Sequence, residues 1–223
     1  MATENASKAI WDKQGRDVMG VRTYALVLGI ALSWAVFLVA AGARMSLNWQ
    51  YGPGLVLLTF IVSIAGIFIF TKSEKPAISL AGVSILSFFM GLSIGPIIAY
   101  YNATTVTNAL ALTLFVTLGM AALGVLLPNV IMRFAGVLFV GLLVLLVGYF
   151  GATLLTLFGV HTSLAGLDWL AVLIFSLYIW YDWARAMKLP RTLDNAVDVS
   201  GALIVDIVNL FLTILRIFAR SQN

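Results

Sequence analysis

The chain has 223 residues, of which 62% are hydrophobic and 10% charged, with a mean hydropathy of +1.06. Soluble domains carry about 25% charged residues, which excludes a water-soluble globular fold. Seven helical spans of roughly 20 residues each would take up about 140 residues and leave only short loops, with no room for an appended soluble domain. The net charge of +4 comes from few and scattered basic residues, a pattern that fits membrane topology better than a nucleic-acid-binding face. Cysteine is absent and His161 is the single histidine, so disulfides, thiol catalysis, thiolate metal sites and multi-histidine metal or haem sites are excluded.

Taken in chain order, the charged residues fence off the spans. Residues 1–22 are polar and mixed in charge, too polar for the core of a signal peptide and without a cleavage signal. They are expected to form a cytoplasmic N-terminal segment ahead of one seven-helix transmembrane domain over 23–219 and a short tail at 220–223. The first span lies between Arg22 and Arg44. The second starts near Gly54, after the polar patch Asn48-Trp49-Gln50-Tyr51, and runs to Thr71. Pro76 to Met132 carries no charge and is expected to split into a third and a fourth span at Asn102-Ala-Thr-Thr-Val-Thr-Asn108, a polar cluster with turn character. A fifth span covers Phe134 to about Leu157 and a sixth Asp168 to about Met187. The seventh starts between Thr192 and Ser200 and ends near Arg216–Arg220, with Thr192 as cap and Asp194 as first-turn acid.

With the N-terminus inside, ten basic residues fall on the inner side: Lys8, Lys13, Arg16, Arg22, Lys72, Lys75, Arg133, Arg185, Lys188 and Arg191. Only Arg44, Arg216 and Arg220 fall outside. This asymmetry places the N-terminus in the cytoplasm. Seven full crossings put the C-terminus outside, although Arg216 and Arg220 pull against a complete seventh crossing. Trp49, Tyr51, Tyr100, Tyr101 and Trp169 fall at the expected outer boundary, where aromatic side chains anchor. Gly91-Leu-Ser-Ile-Gly95 is a GxxxG pattern suited to close helix packing, and Ser84 and Ser87 precede it on roughly the same face. Pro96 is expected to kink or end that helix. Gly148 and Gly151 are expected to pack similarly. No internal repeat supports an inverted-repeat transporter.

Of nine acidic residues, Glu4, Asp12, Asp17, Glu74, Asp168, Asp194 and Asp198 are readily placed in loops, tails or boundaries. Asp182, in Phe175-Ser-Leu-Tyr-Ile-Trp-Tyr-Asp182, and Asp206, in Leu203-Ile-Val-Asp206, lie inside spans. An intramembrane carboxylate is costly unless paired or neutralised, and is a functional candidate by default. At about 1.5 Å per residue each sits roughly 9 Å below the cytoplasmic boundary on consecutive antiparallel helices, so the two carboxyls can meet. Such a pair resists double ionisation and titrates as a unit. When doubly charged it offers hard oxygen ligands to Ca²⁺. Asp206, Asn209 and Thr213 form one polar stripe at i, i+3 and i+7, while Tyr178 and Arg185 flank Asp182 at i−4 and i+3. The structural alternative is a local Asp182–Arg185 ion pair with Asp206 merely hydrogen-bonded inside a bundle.

The stretch Phe175–Asp182, followed 24 positions later by Asp206-Ile-Val-Asn-Leu-Phe-Leu-Thr-Ile-Leu-Arg216-Ile-Phe, closely resembles the C-terminal signature of the transmembrane Bax inhibitor motif family, bacterial members in particular. The specific match covers roughly residues 170–219. The resemblance implies seven helices with the C-terminal one at the centre of the other six, in a bacterial cytoplasmic membrane. It also implies a pH-sensitive calcium leak in which Asp182 and Asp206 sense protons and gate the path, with Ca²⁺ the transported ion and no resident cofactor. In the family a basic residue at the cytoplasmic end of helix two latches onto the aspartates. The nearest match here is Lys72, or Lys75, and lysine lacks the bidentate fork of arginine. The basic C-terminal tail of eukaryotic members has no counterpart in Arg220-Ser-Gln-Asn223, so their cell-death function is not carried over.

Two other functions use the same features. One is a non-conducting regulator that binds a membrane protease or another membrane protein, and the other is a proton-coupled cation antiporter. A retinal protein is excluded because every lysine lies outside the spans. No enzymatic activity is expected, since there is no GxSxG, no HExxH and no glycine-framed aspartate pair.

Overall fold

The computed structural model describes residues 18–50, 52–160 and 163–221. These form seven long helices: α1 (Val21–Ser46), α2 (Pro53–Lys72), α3 (Pro76–Ile98), α4 (Ala103–Leu126), α5 (Ala135–Leu157), α6 (Ala165–Lys188) and α7 (Leu193–Arg220). Six are long and apolar enough to cross a bilayer, and α2 contributes a shorter apolar stretch, Leu57–Lys72. Large side chains such as Leu26, Phe60, Phe115, Val147 and Leu173 are exposed along these helices. Exposed apolar surface on this scale belongs in lipid. The chain is an all-α, multi-pass integral membrane protein. Lys8, Lys13, Arg16, Tyr51 and His161 lie outside the described residues.

Local chemistry accounts for the helix ends. Pro53 and Pro76 open α2 and α3, where a missing N–H costs nothing. The Asn102 side chain accepts from the Thr105 amide at 2.7 Å and caps α4, so the polar cluster expected to be a turn is instead a cap followed by the first turns of α4. Pro96 lies inside α3, which ends two residues later. Pro128 breaks the uncharged run after α4, and a helical turn (Pro128–Ile131) and a 3₁₀ turn (Met132–Phe134) lead into α5. The end of α5 is closed by Gly159 at φ 79°, with Val160 N–H donating to the Leu155 carbonyl and Gly159 N–H to that of Thr156. Only glycine takes this left-handed turn without strain. Thr192 caps α7, its hydroxyl accepting from the Asn195 amide at 3.2 Å.

The chain divides into two compact units. The first contains α1, α2, α3 and residues 188–204. Here α3 packs against both α1 and α2. A methyl group on Gly91 would collide with the Val39 carbonyl, one on Gly95 with the Ala43 carbonyl, and one on Gly42 with that of Phe88. The GxxxG pattern therefore lies on the α1–α3 contact. Gly66 and Gly82 do the same work between α2 and α3. Ser87 is buried, whereas Ser84 accepts a 3.0 Å hydrogen bond from the Trp34 indole. Asp194 is buried and accepts from the Ser79 hydroxyl at 2.8 Å, so it joins α7 to α3 rather than standing at a solvated boundary.

The second unit contains α4, α5, α6 through Met187, and residues 205–223. Gly124 of α4 lies against Trp180 and Trp183, and Gly141 and Gly148 of α5 lie against Ile174 and Leu167. Gly151 faces open space, so of the two glycines expected to pack in α5 only Gly148 does. Leu145, Ala171 and Ile174 form a buried cluster onto which Tyr149 and Tyr178 pack. Half of the most apolar window of α7 is buried, the largest share among the six long apolar helices.

Candidate functional site

A short loop after Lys188 turns α6 back into α7. Along α6, Ser176, Ile179, Asp182 and Ala186 are buried, spaced three or four residues apart on one inward face. On α7, Leu203, Asp206, Leu210 and Thr213 recur at the same spacing and are also buried. Asp182 and Asp206 are 5% and 8% exposed, and their carboxyls are in hydrogen-bonding contact. A hydrogen bond between two carboxyls needs a proton on one of them.

The surroundings polarise this pair. Arg185, one turn beyond Asp182, attracts its carboxylate electrostatically. Tyr178, one turn before, lies within electrostatic range of both aspartates and packs edge-on against Tyr181 at 6.4 Å between ring centroids. Asn209 is half-buried one turn beyond Asp206. Its carbonyl accepts from the Thr213 hydroxyl at 2.7 Å. Lys72 is exposed in the last turn of α2 and belongs to the first unit. Among the described residues no three His, Asp or Glu side chains converge as a metal cluster.

A second polar centre was not anticipated. Asp168, read from sequence as a boundary acid, is fully buried in the first turn of α6. Its Oδ1 accepts from the Tyr149 hydroxyl at 2.6 Å and from Arg216 Nε and Nη2 at 3.1 and 2.9 Å. Its Oδ2 pairs with Arg220. The Arg216 guanidinium also lies over the Tyr149 ring, 5.4 Å from its centroid. The signal was present in the chain. Asp168 precedes Asp182 by 14 residues and Arg220 follows Asp206 by 14, so the depth argument that pairs the two aspartates also pairs Asp168 with the tail arginines.

The family model for the inhibitor of apoptosis-promoting Bax1 matches residues 17–223, which takes in every helix described above. The chain belongs to the Bax inhibitor-1 family. A BI1-like protein of Arabidopsis thaliana is 31% identical over 175 residues, covering 77% of this chain and 67% of that protein. Within this Bax inhibitor-1 member the matched region contains both the Asp182–Asp206 pair and the Asp168–Arg216–Arg220 cluster, one on each half of the α6–α7 hairpin.

Proposed function

We propose that this protein is a pH-sensitive calcium leak pathway in which Asp182 and Asp206 form the gate. The observation that carries this reading is the contact between two buried carboxyls, one on α6 and one on α7, inside two membrane-spanning helices. Protons hold the pair together. When both carboxyls ionise, their repulsion opposes the contact and the same doubly charged state attracts a divalent cation. Ca²⁺ prefers six to eight oxygen ligands. The two carboxylates, with the Tyr178 hydroxyl and Asn209 amide a turn away, supply fewer than a tight site demands and leave the rest to water. That suits passage rather than storage.

The positive-inside asymmetry supports a cytoplasmic N-terminus, which sets the aspartate pair toward the cytoplasmic side of the membrane. The test is Ca²⁺ uptake into sealed proteoliposomes holding the purified protein, at pH 6 and pH 8. Flux that needs neither a partner protein nor a counter-gradient supports the leak. No flux at either pH defeats it and leaves a regulator that binds another membrane protein. Flux that follows an imposed proton gradient shows an antiporter.

A further inference from the structure

The end of α7 opposite the aspartate pair carries a pocket that the calcium reading does not use. It encloses about 450 Å³ and is lined by Tyr101, Ser163, Leu164, Asp168, Arg216, Ala219 and Arg220. Two guanidiniums face one carboxylate here, so the wall has a net charge of +1. Both carboxylate oxygens of Asp168 are already engaged, Oδ1 by hydrogen bonds from Tyr149 and Arg216 and Oδ2 by its ion pair with Arg220. The pocket therefore offers a cation no free carboxylate oxygen.

The arginines have donors to spare. A guanidinium carries five N–H groups, and Asp168 engages one edge of Arg216. The Arg216 and Arg220 side chains remain 35% and 41% exposed although their counter-ion is fully buried. Asp168 holds both from behind and the Tyr149 ring lies against Arg216, which lowers the ordering cost of binding a second anion. Planar forks of this kind match tetrahedral phosphate oxygens two at a time.

We propose that this pocket binds a phosphate-bearing anion, with Arg220 and Arg216 as its ligands. The site lies in the last turn of α7, beside Tyr101 and within one residue of Trp169, which is 63% exposed. Exposed tryptophan and tyrosine mark the depth of lipid headgroups, so the phosphate of an anionic lipid reaches this pocket as readily as free phosphate does.

The experiment uses the full chain in neutral-detergent micelles at fixed ionic strength. One arm measures equilibrium dialysis of radiolabelled inorganic phosphate, and the other retention of dioleoylphosphatidylglycerol by native mass spectrometry. Arg220→Gln is expected to weaken binding at least tenfold in any arm where the parent binds. Ser163→Leu, which fills the pocket and leaves the ion pairs intact, is expected to weaken it as well and stands in if Arg220→Gln does not fold. Retention of lipid alone identifies a headgroup site, and binding of inorganic phosphate identifies a site open to the free ion; both support the proposal. Binding in neither arm, or binding undiminished in both variants, overturns it.

Discussion

At the scale of single residues the two buried acid centres make opposite predictions. Asp206→Asn keeps an oxygen and an N–H to hold Asp182 but removes a charge, so the pair can no longer repel itself apart. Calcium flux into proteoliposomes should fall and its pH dependence flatten, and Asp182→Asn should behave alike. The double variant should lose less than the sum of the two, because groups that titrate together are not independent. A variant with parental flux and pH profile would make Asp206 structural. Asp168 should behave differently. Asp168→Asn leaves Arg216 and Arg220 without their counter-ion and should cost about 1–3 kcal/mol of stability, less than the roughly 3–5 kcal/mol of a fully buried pair broken from one side, because the arginines left behind are partly exposed. Denaturation of the purified protein in detergent reads this directly, while calcium flux per folded molecule should change less than in Asp206→Asn. The aspartate pair was legible in the chain because both acids sit mid-span, where a carboxylate is conspicuous. Asp168 was not, because an acid near a helix start looks solvated when judged alone. Its burial follows from Tyr149, Arg216 and Arg220 converging on it, a property of pairs rather than of positions.

Among elements, the helices follow from charge spacing, since in a chain with 10% charged residues most charges, Asp182 and Asp206 apart, mark a limit to burial in lipid. Boundaries inside uncharged stretches were less legible. The break after α4 is set by Pro128 rather than by a charge, and Asn102 to Asn108 reads equally well as a turn or as a capped helix start until the Asn102–Thr105 bond is seen. Glycine roles need the partner helix too: Gly148 and Gly151 are three residues apart, yet one meets Leu167 and the other meets nothing. Substitution should separate them. Gly91→Ala drives a methyl into the Val39 carbonyl on α1, where backbone cannot yield cheaply, and should cost about 1–3 kcal/mol. Gly151→Ala has room and a better helix former, so it should be neutral or gain up to about 1 kcal/mol. Thermal unfolding in detergent compares the two. Equal losses would contradict the α1–α3 contact.

For the whole molecule, the expected topology and the proposed gate rest on one charge distribution. The basic residues that argued against a complete seventh crossing, Arg216 and Arg220, are those bound by Asp168. Neutralised in part, they oppose translocation weakly, and the ten basic residues assigned to the inner side dominate. A protease-cleavable tag at the C-terminus should therefore be cut from outside intact cells or spheroplasts, and protection there would reverse the assignment. Gating follows from magnitudes. Two unit charges about 4 Å apart repel by about 4 kcal/mol at an effective dielectric of about 20, whereas a hydrogen bond involving a charged group contributes about 1.5–3 kcal/mol. The proton-bridged pair is therefore stable and the doubly ionised pair is not. In the proposed mechanism, raising the pH removes the bridging proton, favours separation of α6 from α7 at Asp182 and Asp206, and leaves a doubly negative site that binds Ca²⁺ in the same conformation. Calcium flux should be greater at pH 8 than at pH 6. Histidine is the side-chain type whose ordinary pKa falls in that interval, and His161 is the single histidine of the chain. His161→Gln should keep the parental pH response, while Asp206→Asn should lose it. The reverse pattern would transfer the sensor to the histidine and leave the aspartate pair as a structural contact.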